Sequence, residues 1–384
     1  MSKRVSVQFD DVHSFMESLY EDDVHAKRVY SLANATLGIM SSASLAIHAI
    51  GQGLAEARGL VTKHAVKQVD RLLSNKGIPV WEYFSKWVPH IIGARKEIVV
   101  AMDWTNFDAD GHTTIALSLI TRHGRATPLL WKTVKQSLLK NNQADQEDKL
   151  LRRLAEVIPA DVDVTILGDR GFGNTRLFAL MEELNFDYVL RMRGNIYVTD
   201  TNGTSAHAAD WVGSGGRART LRNATVTGKN VRVPTVVCVQ AKDMKEPWCL
   251  CASDPKATSS RLIKYYAKRW SIETNFRDTK DWRFGMRLSY VRIRDTDRRD
   301  RMLLLSAMAG VLLTLLGAAS ENTGLDRLLK TNTSKKRTHS LFRQGCMWYQ
   351  LMPNMPEERL RVLMQEFGKL VRQQRAFSEV FGVI

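Results

Sequence analysis

The first ninety residues carry apolar positions at helical spacing, with small or polar residues between them, around 12–19, 27–37 and 45–50. Glycines at Gly51-Gln-Gly53 and again at Gly59 predict breaks. Residues 62–73 then predict a helix capped by Thr62. Val66, Val69 and Leu73 form its apolar face, and Lys63, Lys67 and Arg71 lie four apart on another. From Lys96 the period changes. Residues 97–103 are a short apolar run suited to a central strand, and 112–120 and 126–131 predict two more, with turns at 108–111 and at His123-Gly124. A helix over 150–157, a strand over 163–169, a helix over 175–184 and a strand over 186–191 follow.

Beyond this the pattern turns to glycine-rich corners and alternation. The runs 220–226, 230–239 and 247–252 predict a β-rich insertion over 195–256. Residues 303–319, LLLSAMAGVLLTLLGAA, are almost wholly apolar. They are short for a comfortable membrane span and follow the dense charges of RIRDTDRRD, so a helix buried in a large protein is expected, with no membrane. A basic connector over 330–337 leads to a last helix over 357–370. Strand–strand–strand–helix–strand–helix–strand is the order of a ribonuclease-H-like α/β core. The expected divisions are 1–92, a helical DNA-binding region; 93–194, the first part of the core; 195–256, the β-rich insertion; 257–330, the second part of the core; and 331–384, a C-terminal helical region. Residues 62–73 would serve the first of these as a groove- or backbone-gripping helix in a helix-turn-helix-like module.

Charge narrows the partner. The chain has 56 Lys and Arg against 40 Asp and Glu, a formal charge of +16, with an ordinary hydrophobic content of 44%. Such an excess favours a polyanion. Within 201–246 there are seven Lys or Arg against three acids, so the insertion too favours DNA. Cys238, Cys249, Cys251 and Cys346 form no paired CxxC units, which argues against structural zinc; Cys249 and Cys251 share one strand face and read as core thiols. With no secretory signal at the start, a reducing cytoplasm is expected.

The candidate chemistry rests on three carboxylates. Asp103 and Asp169 each end an apolar run, VVAMD and VTILGD, at the edge where α/β sheets gather their sites. Tyr266, Arg269, Glu273 and Lys280 are spaced by three, four and seven residues, which predicts one stripe of one helix. Around Glu273 stand Lys264, Lys268, Arg277 and Arg283. A carboxylate among cations is ordinarily a surface ion pair, and an aspartate at a strand end is often only a turn residue. Together, however, three hard oxygen ligands beside phosphate-binding cations suit metal-assisted phosphodiester chemistry.

At these residues the chain resembles a known family. Tyr266-(two)-Arg269-(three)-Glu273-(six)-Lys280 is similar to the YREK signature of the bacterial DDE transposases of the insertion-sequence-four family, and of its transposon-ten branch. KHAVKQVDRLLSN, VAMDWT, GDRGF, YVLRMRG, KEPWCLCASD and IETNFRDTKD resemble the same group, so the likeness runs over roughly residues 10 to 375. It implies that Asp103, Asp169 and Glu273 hold Mg²⁺, with Mn²⁺ able to substitute, and that Tyr266, Arg269 and Lys280 contact phosphates at the element end. Trp248 would stack on a flipped base; its alternative is a core residue on a strand. Arg191, Arg193 and Arg170 would bind the DNA backbone, Arg170 having a structural salt bridge as its alternative. The partners implied are double-stranded DNA with inverted-repeat ends, target DNA and a second copy of the chain in a synaptic homodimer. A bacterial, nucleoid-associated location goes with them. Cut-and-paste transposition through a hairpin is the expected activity. A structure-selective nuclease on the same fold and a non-catalytic DNA-binding regulator are the alternatives.

Overall fold

The computed structural model describes residues 9–20, 24–173, 175–283, 285–372 and 380. The outermost parts of both terminal regions, and the end of the resemblance near 375, lie outside them. The chain opens with α1 (Phe9–Tyr20), α2 (Ala26–Ser42), α3 (Ile47–Arg58), α4 (Thr62–Leu73) and α5 (Val80–Ile92). Gly51 and Gly53 do not break the chain, because both lie inside α3. A Cβ on Gly53 would stand 2.6 Å from the Gly38 carbonyl oxygen in α2, and one on Gly51 would stand 2.6 Å from the Cα of Val66 in α4. Only glycine permits such approach, so helix packing overrides the local cost of glycine in a helix. Gly59 does end α3, with φ at 65°. Thr62 is the first residue of α4 rather than its cap; Val61 holds that position and no side chain caps the helix. Lys63, Lys67 and Arg71 are exposed on α4, and Ala65, Val69, Leu72 and Leu73 are buried.

The core follows in the expected order: β1 (Glu97–Phe107), β2 (His112–Ile120), β3 (Ala126–Lys135), α6 (Gln143–Val157), β4 (Asp163–Gly168), α7 (Thr175–Glu183) and β5 (Asp187–Met192). The insertion supplies β6 (Tyr197–Thr199), β7 (Ser205–His207), β8 (Arg219–Val226), β9 (Val231–Val239) and β10 (Trp248–Ala252). The ten strands of the described residues form one sheet in the order β3-β2-β1-β4-β5-β10-β9-β8-β6-β7. β1, β4 and β5 run parallel, while β10 joins β5 antiparallel. The insertion thus widens the core sheet. After it come α8 (Ser259–Lys268), α9 (Trp270–Lys280), α10 (Thr296–Asn322), α11 (Leu341–Leu351) and α12 (Glu357–Arg372). The molecule is a ribonuclease-H-like core flanked by helical regions.

Period-two alternation gives the sheet two apolar faces. Val100, Met102, Ile166, Leu190, Cys249 and Cys251 join the large cluster built with the N- and C-terminal helices. Ala101, Leu167, Val189, Leu250 and Ala252 face the other way, onto Leu262 and Tyr266 of α8 and Ile272 of α9. The four cysteines are all buried and free.

Helix α10 has the length and apolarity of a membrane span, yet lies buried inside the protein against α2, α11, α12 and β3. It meets α11 through reciprocal glycines. A Cβ on Gly317 would come 1.9 Å from the Leu341 carbonyl oxygen, and one on Gly345 would come 1.9 Å from that of Leu313. Gly317→Ala or Gly345→Ala should therefore force the helices apart and cost about 1–3 kcal/mol. Gly310→Ala, on the same helix with nothing within 4 Å of its added Cβ, should be neutral or slightly stabilising. Thermal melts of the three variants check this, and equal midpoints would refute the contact.

Candidate active site

The register of the sheet builds the site. β1 pairs β4 with Met102 opposite Gly168, and β4 pairs β5 with Gly168 opposite Leu190. One residue further on, Asp103, Asp169 and Arg191 stand in a row. Leu250 of β10 extends it, being opposite Arg191. By alternation these side chains, and Trp248 two residues from Leu250, share the face covered by α8 and α9. Asp103 does not end its strand as expected. β1 runs on to Phe107 because β2 pairs along it from Val100 to Phe107, and it is the parallel neighbour β4 that stops. The aspartate sits at the corner this leaves.

The stripe from Tyr266 to Lys280 is carried by two helices rather than one. α8 ends at Lys268, Arg269 forms the joint, and α9 begins at Trp270. At the joint the Arg269 amide donates to Tyr266 O and the Ile272 amide to Arg269 O, both at 3.0 Å. These three-residue hydrogen bonds tighten the turn. Arg269 is left with a side chain 5% exposed.

Its guanidinium is the centre of the site. Nη2 lies 2.9 Å from Glu273 Oε1 and 3.9 Å from Asp169 Oδ2, and Nη1 lies 3.4 Å from Asp103 Oδ2. All three predicted carboxylates therefore converge on one cation. Burial pushes the Asp103 carboxyl up to about 6, against the pull of Arg269 and a 2.8 Å hydrogen bond from the Trp104 amide. Asp169 is also raised by burial. The Arg170 amide at 2.7 Å, Arg269, the Tyr266 hydroxyl at 2.9 Å and Arg191 outweigh this and hold it below its ordinary value. The donors suit a hard divalent cation, being carboxylate oxygens that come from three elements and remain partly open to solvent. As the side chains stand they close on Arg269, and among the described residues no group of three His, Cys, Asp or Glu is set around an ion position.

The other expected residues are placed unevenly. Tyr266 is buried, and its hydroxyl donates to Asp169. Trp248 is half-buried, with its ring edge-to-face against Tyr266 at 4.8 Å and 77°. Lys280 is away from the carboxylates: its Nζ donates to Thr105 Oγ1 at 3.1 Å and Asn106 O at 2.6 Å, above the Phe107 ring. Arg191 reaches to 4.0 Å from Asp169, Arg170 is exposed beside it, and Arg193 is exposed just past β5. Lys63, Lys67 and Arg71 belong to the N-terminal helices and do not join this cluster.

Two groups escaped the sequence reading. Trp270, next to Arg269, is 56% exposed beside the site. Glu246, two residues before Trp248, pairs with both Arg191 and Arg170. An acid among the many cations of the insertion was its only visible signal.

Residues 94–312, more than half of the chain, match the transposase DDE domain. The chain belongs to the DDE transposases. No curated protein matches it. The matched segment contains Asp103, Asp169 and Glu273 together with the whole insertion. This transposase therefore carries an enzymatic domain for DNA cleavage.

Replacing Arg269 by Gln removes the shared counter-charge from three carboxylates. Allowing for their partial exposure, the cost should be roughly 1–3 kcal/mol in metal-free buffer at pH 8. Asp103 has a folded value raised to about 6, and losing Arg269 raises it further. The penalty belongs to the ionised state, so it should shrink as pH falls through 6. Melts of R269Q and the unaltered protein at pH 5 and pH 8 check the sign; an equal difference at both would refute it.

Proposed function

We propose that this DDE transposase is a cut-and-paste enzyme of the insertion-sequence-four family, in its transposon-ten branch. It nicks the element end, forms a hairpin with the freed 3′-hydroxyl, reopens the hairpin and joins the 3′ end to target DNA. The observation that carries the reading is the convergence of Asp103, Asp169 and Glu273 on the guanidinium of Arg269, with Tyr266 bonded to Asp169. The residues are those of the YREK spacing and its two upstream aspartates. Asp103, Asp169 and Glu273 would hold divalent ions, Mg²⁺ or Mn²⁺, which when bound supply activation of the attacking oxygen and stabilisation of the leaving oxygen.

The chain's own groups set up the rest. With Asp103 ionising near 6 and Asp169 held below its ordinary value, both aspartates are charged at neutral pH. Burial raises the Tyr266 hydroxyl to about 12, so it keeps its proton and fixes the Asp169 carboxylate by donating to it. Arg191 and Arg170 border Asp169 on the side of the insertion, Arg193 is exposed just past β5, and all three suit backbone phosphates. Lys280 suits phosphate only after leaving Thr105 and Asn106; as placed it fastens α9 to β1. Trp248 would offer its ring to a base flipped from the stack. Lys63, Lys67 and Arg71 would grip duplex further out, and two copies would hold two ends.

Asp103→Ala, Asp169→Ala and Glu273→Ala should each abolish Mg²⁺-dependent nicking of the inverted-repeat DNA flanking the gene while leaving its binding largely intact. Nicking by folded E273A would refute the assignment. Joined products with target DNA separate a transposase from a nuclease, which would yield cleavage alone.

Trp248→Ala tests the hairpin step. Loss of a base-stacking ring costs about 1–3 kcal/mol, or roughly a ten- to hundredfold slower step. Nicked ends should accumulate, and an abasic site at the flipped position should restore hairpins in part. Equal loss of nicking and hairpins would instead make Trp248 a support for Tyr266.

A further inference from the structure

The two cations nearest Asp169 on the insertion side are already engaged. Glu246 Oε1 lies 2.7 Å from Arg191 Nη2, and its two oxygens accept from Arg170 Nη1 at 3.2 and 3.3 Å. Arg191 Nη2 also donates to Pro247 O at 3.2 Å, so this guanidinium spans from Asp169 to the segment leading into β10. Glu246 is half-exposed, as is Arg170, while the Arg191 side chain is only 12% exposed. The guanidinium of Arg191 is thus held in place by the sheet, whereas the carboxylate that meets it stands where solvent, or another anion, can reach the same nitrogens. Arg191 first, and Arg170 after it, keep Glu246 below the ordinary carboxylate range, so it is an anion at neutral pH.

We propose that Glu246 is an exchangeable counter-anion: in the DNA-free protein it occupies the Arg191–Arg170 pair, and a backbone phosphate of the DNA displaces it. This rests on the reading of Arg191 and Arg170 as phosphate-binding groups. The geometry of a carboxylate on two guanidinium groups is the geometry with which arginines receive phosphate. Until DNA arrives Glu246 keeps both cations extended beside Asp169, and once it arrives Glu246 becomes a competitor that must leave. The same displacement frees the 241–247 segment at its join to Trp248, coupling phosphate arrival to the side chain proposed to hold the flipped base.

The test is anisotropy titration of a fluorescein-labelled mixed-sequence duplex in magnesium-free buffer over a range of salt. Exposed ion pairs are weak, so Glu246→Gln should tighten binding about three- to tenfold at low salt. The log–log salt dependence should steepen by less than one contact's worth, about 0.9, because the unaltered protein meets the same phosphate once Glu246 is displaced. Glu246→Asp, which keeps the charge, should stay close to the unaltered protein. The gain should vanish when Glu246→Gln is combined with Arg170→Ala and Arg191→Ala. Weaker or unchanged binding by E246Q overturns the proposal. Arg191→Ala alone serves the underlying reading: if it binds the duplex as tightly as the unaltered protein, the phosphate role of Arg191 fails, whereas a loss there beside an unchanged E246Q removes only the exchange.

Discussion

Three carboxylates cannot share a partly buried corner without a cation among them, and Arg269 is that cation. Two like charges about 4 Å apart repel by about 1 kcal/mol in water and several times more where solvent is partly excluded. The row across β1 and β4 brings Asp103 and Asp169 side by side, and α9 adds Glu273. A guanidinium answers this because its planar fork presents donors in several directions at once, which a lysine ammonium on a flexible stem does not. The tight joint between α8 and α9 follows from the same demand. Arg269 keeps helical backbone angles there, and the three-residue hydrogen bonds tighten the turn that carries it.

The row itself is legible in the amino-acid order. Ala101 and Asp103, Leu167 and Asp169, and Val189 and Arg191 are each two apart, so each polar group must emerge on the face of its apolar partner. The break expected at Gly51 and Gly53 failed because a glycine's effect depends on what packs over it, and α2 and α4 lie in distant context. The extent of β1 was hidden for a similar reason. Trp104–Asn106 are polar enough to read as a turn, but pairing with β2 holds them in the ladder. The division of the helix bearing Glu273 was invisible because Arg269 keeps helical backbone angles and only its hydrogen bonds change. Lys280 lies seven residues from Glu273, two turns along, and it meets β1 because β1 is longer than expected.

Continuity of the sheet changes what the insertion can do. Were residues 195–256 a separate lobe, Trp248 would approach the site on a linker. Instead β10 is hydrogen-bonded to β5 from Cys249 to Ala252, and Cys249 faces Cys238 of β9 from inside the core. Trp248 is therefore fixed to within a residue of the ladder's last pair. Its contact with Tyr266 continues through the Tyr266 hydroxyl to Asp169. A displacement at the indole can be felt at the carboxylate through two contacts, both between groups held by packed elements.

A strongly basic chain attracts polyanions over much of its surface, yet this corner gathers three carboxylates. Local pairing reconciles the two. Arg269 neutralises the carboxylates from beneath, at 5% exposure, and so is screened from competing for DNA over the surface. Arg170 is half-exposed at the rim, and Arg191, at 12% exposure, meets it through Glu246. Buried Arg269 makes the acid cluster tolerable to the fold, and on the proposed reading the Arg191–Arg170 pair receives the phosphate. On that reading, exchanging half-exposed Arg170 for a neutral residue weakens approach and leaves the fold in place. Exchanging the buried one leaves the rim intact and strands the carboxylates in mutual repulsion, so equal losses of charge have unequal consequences.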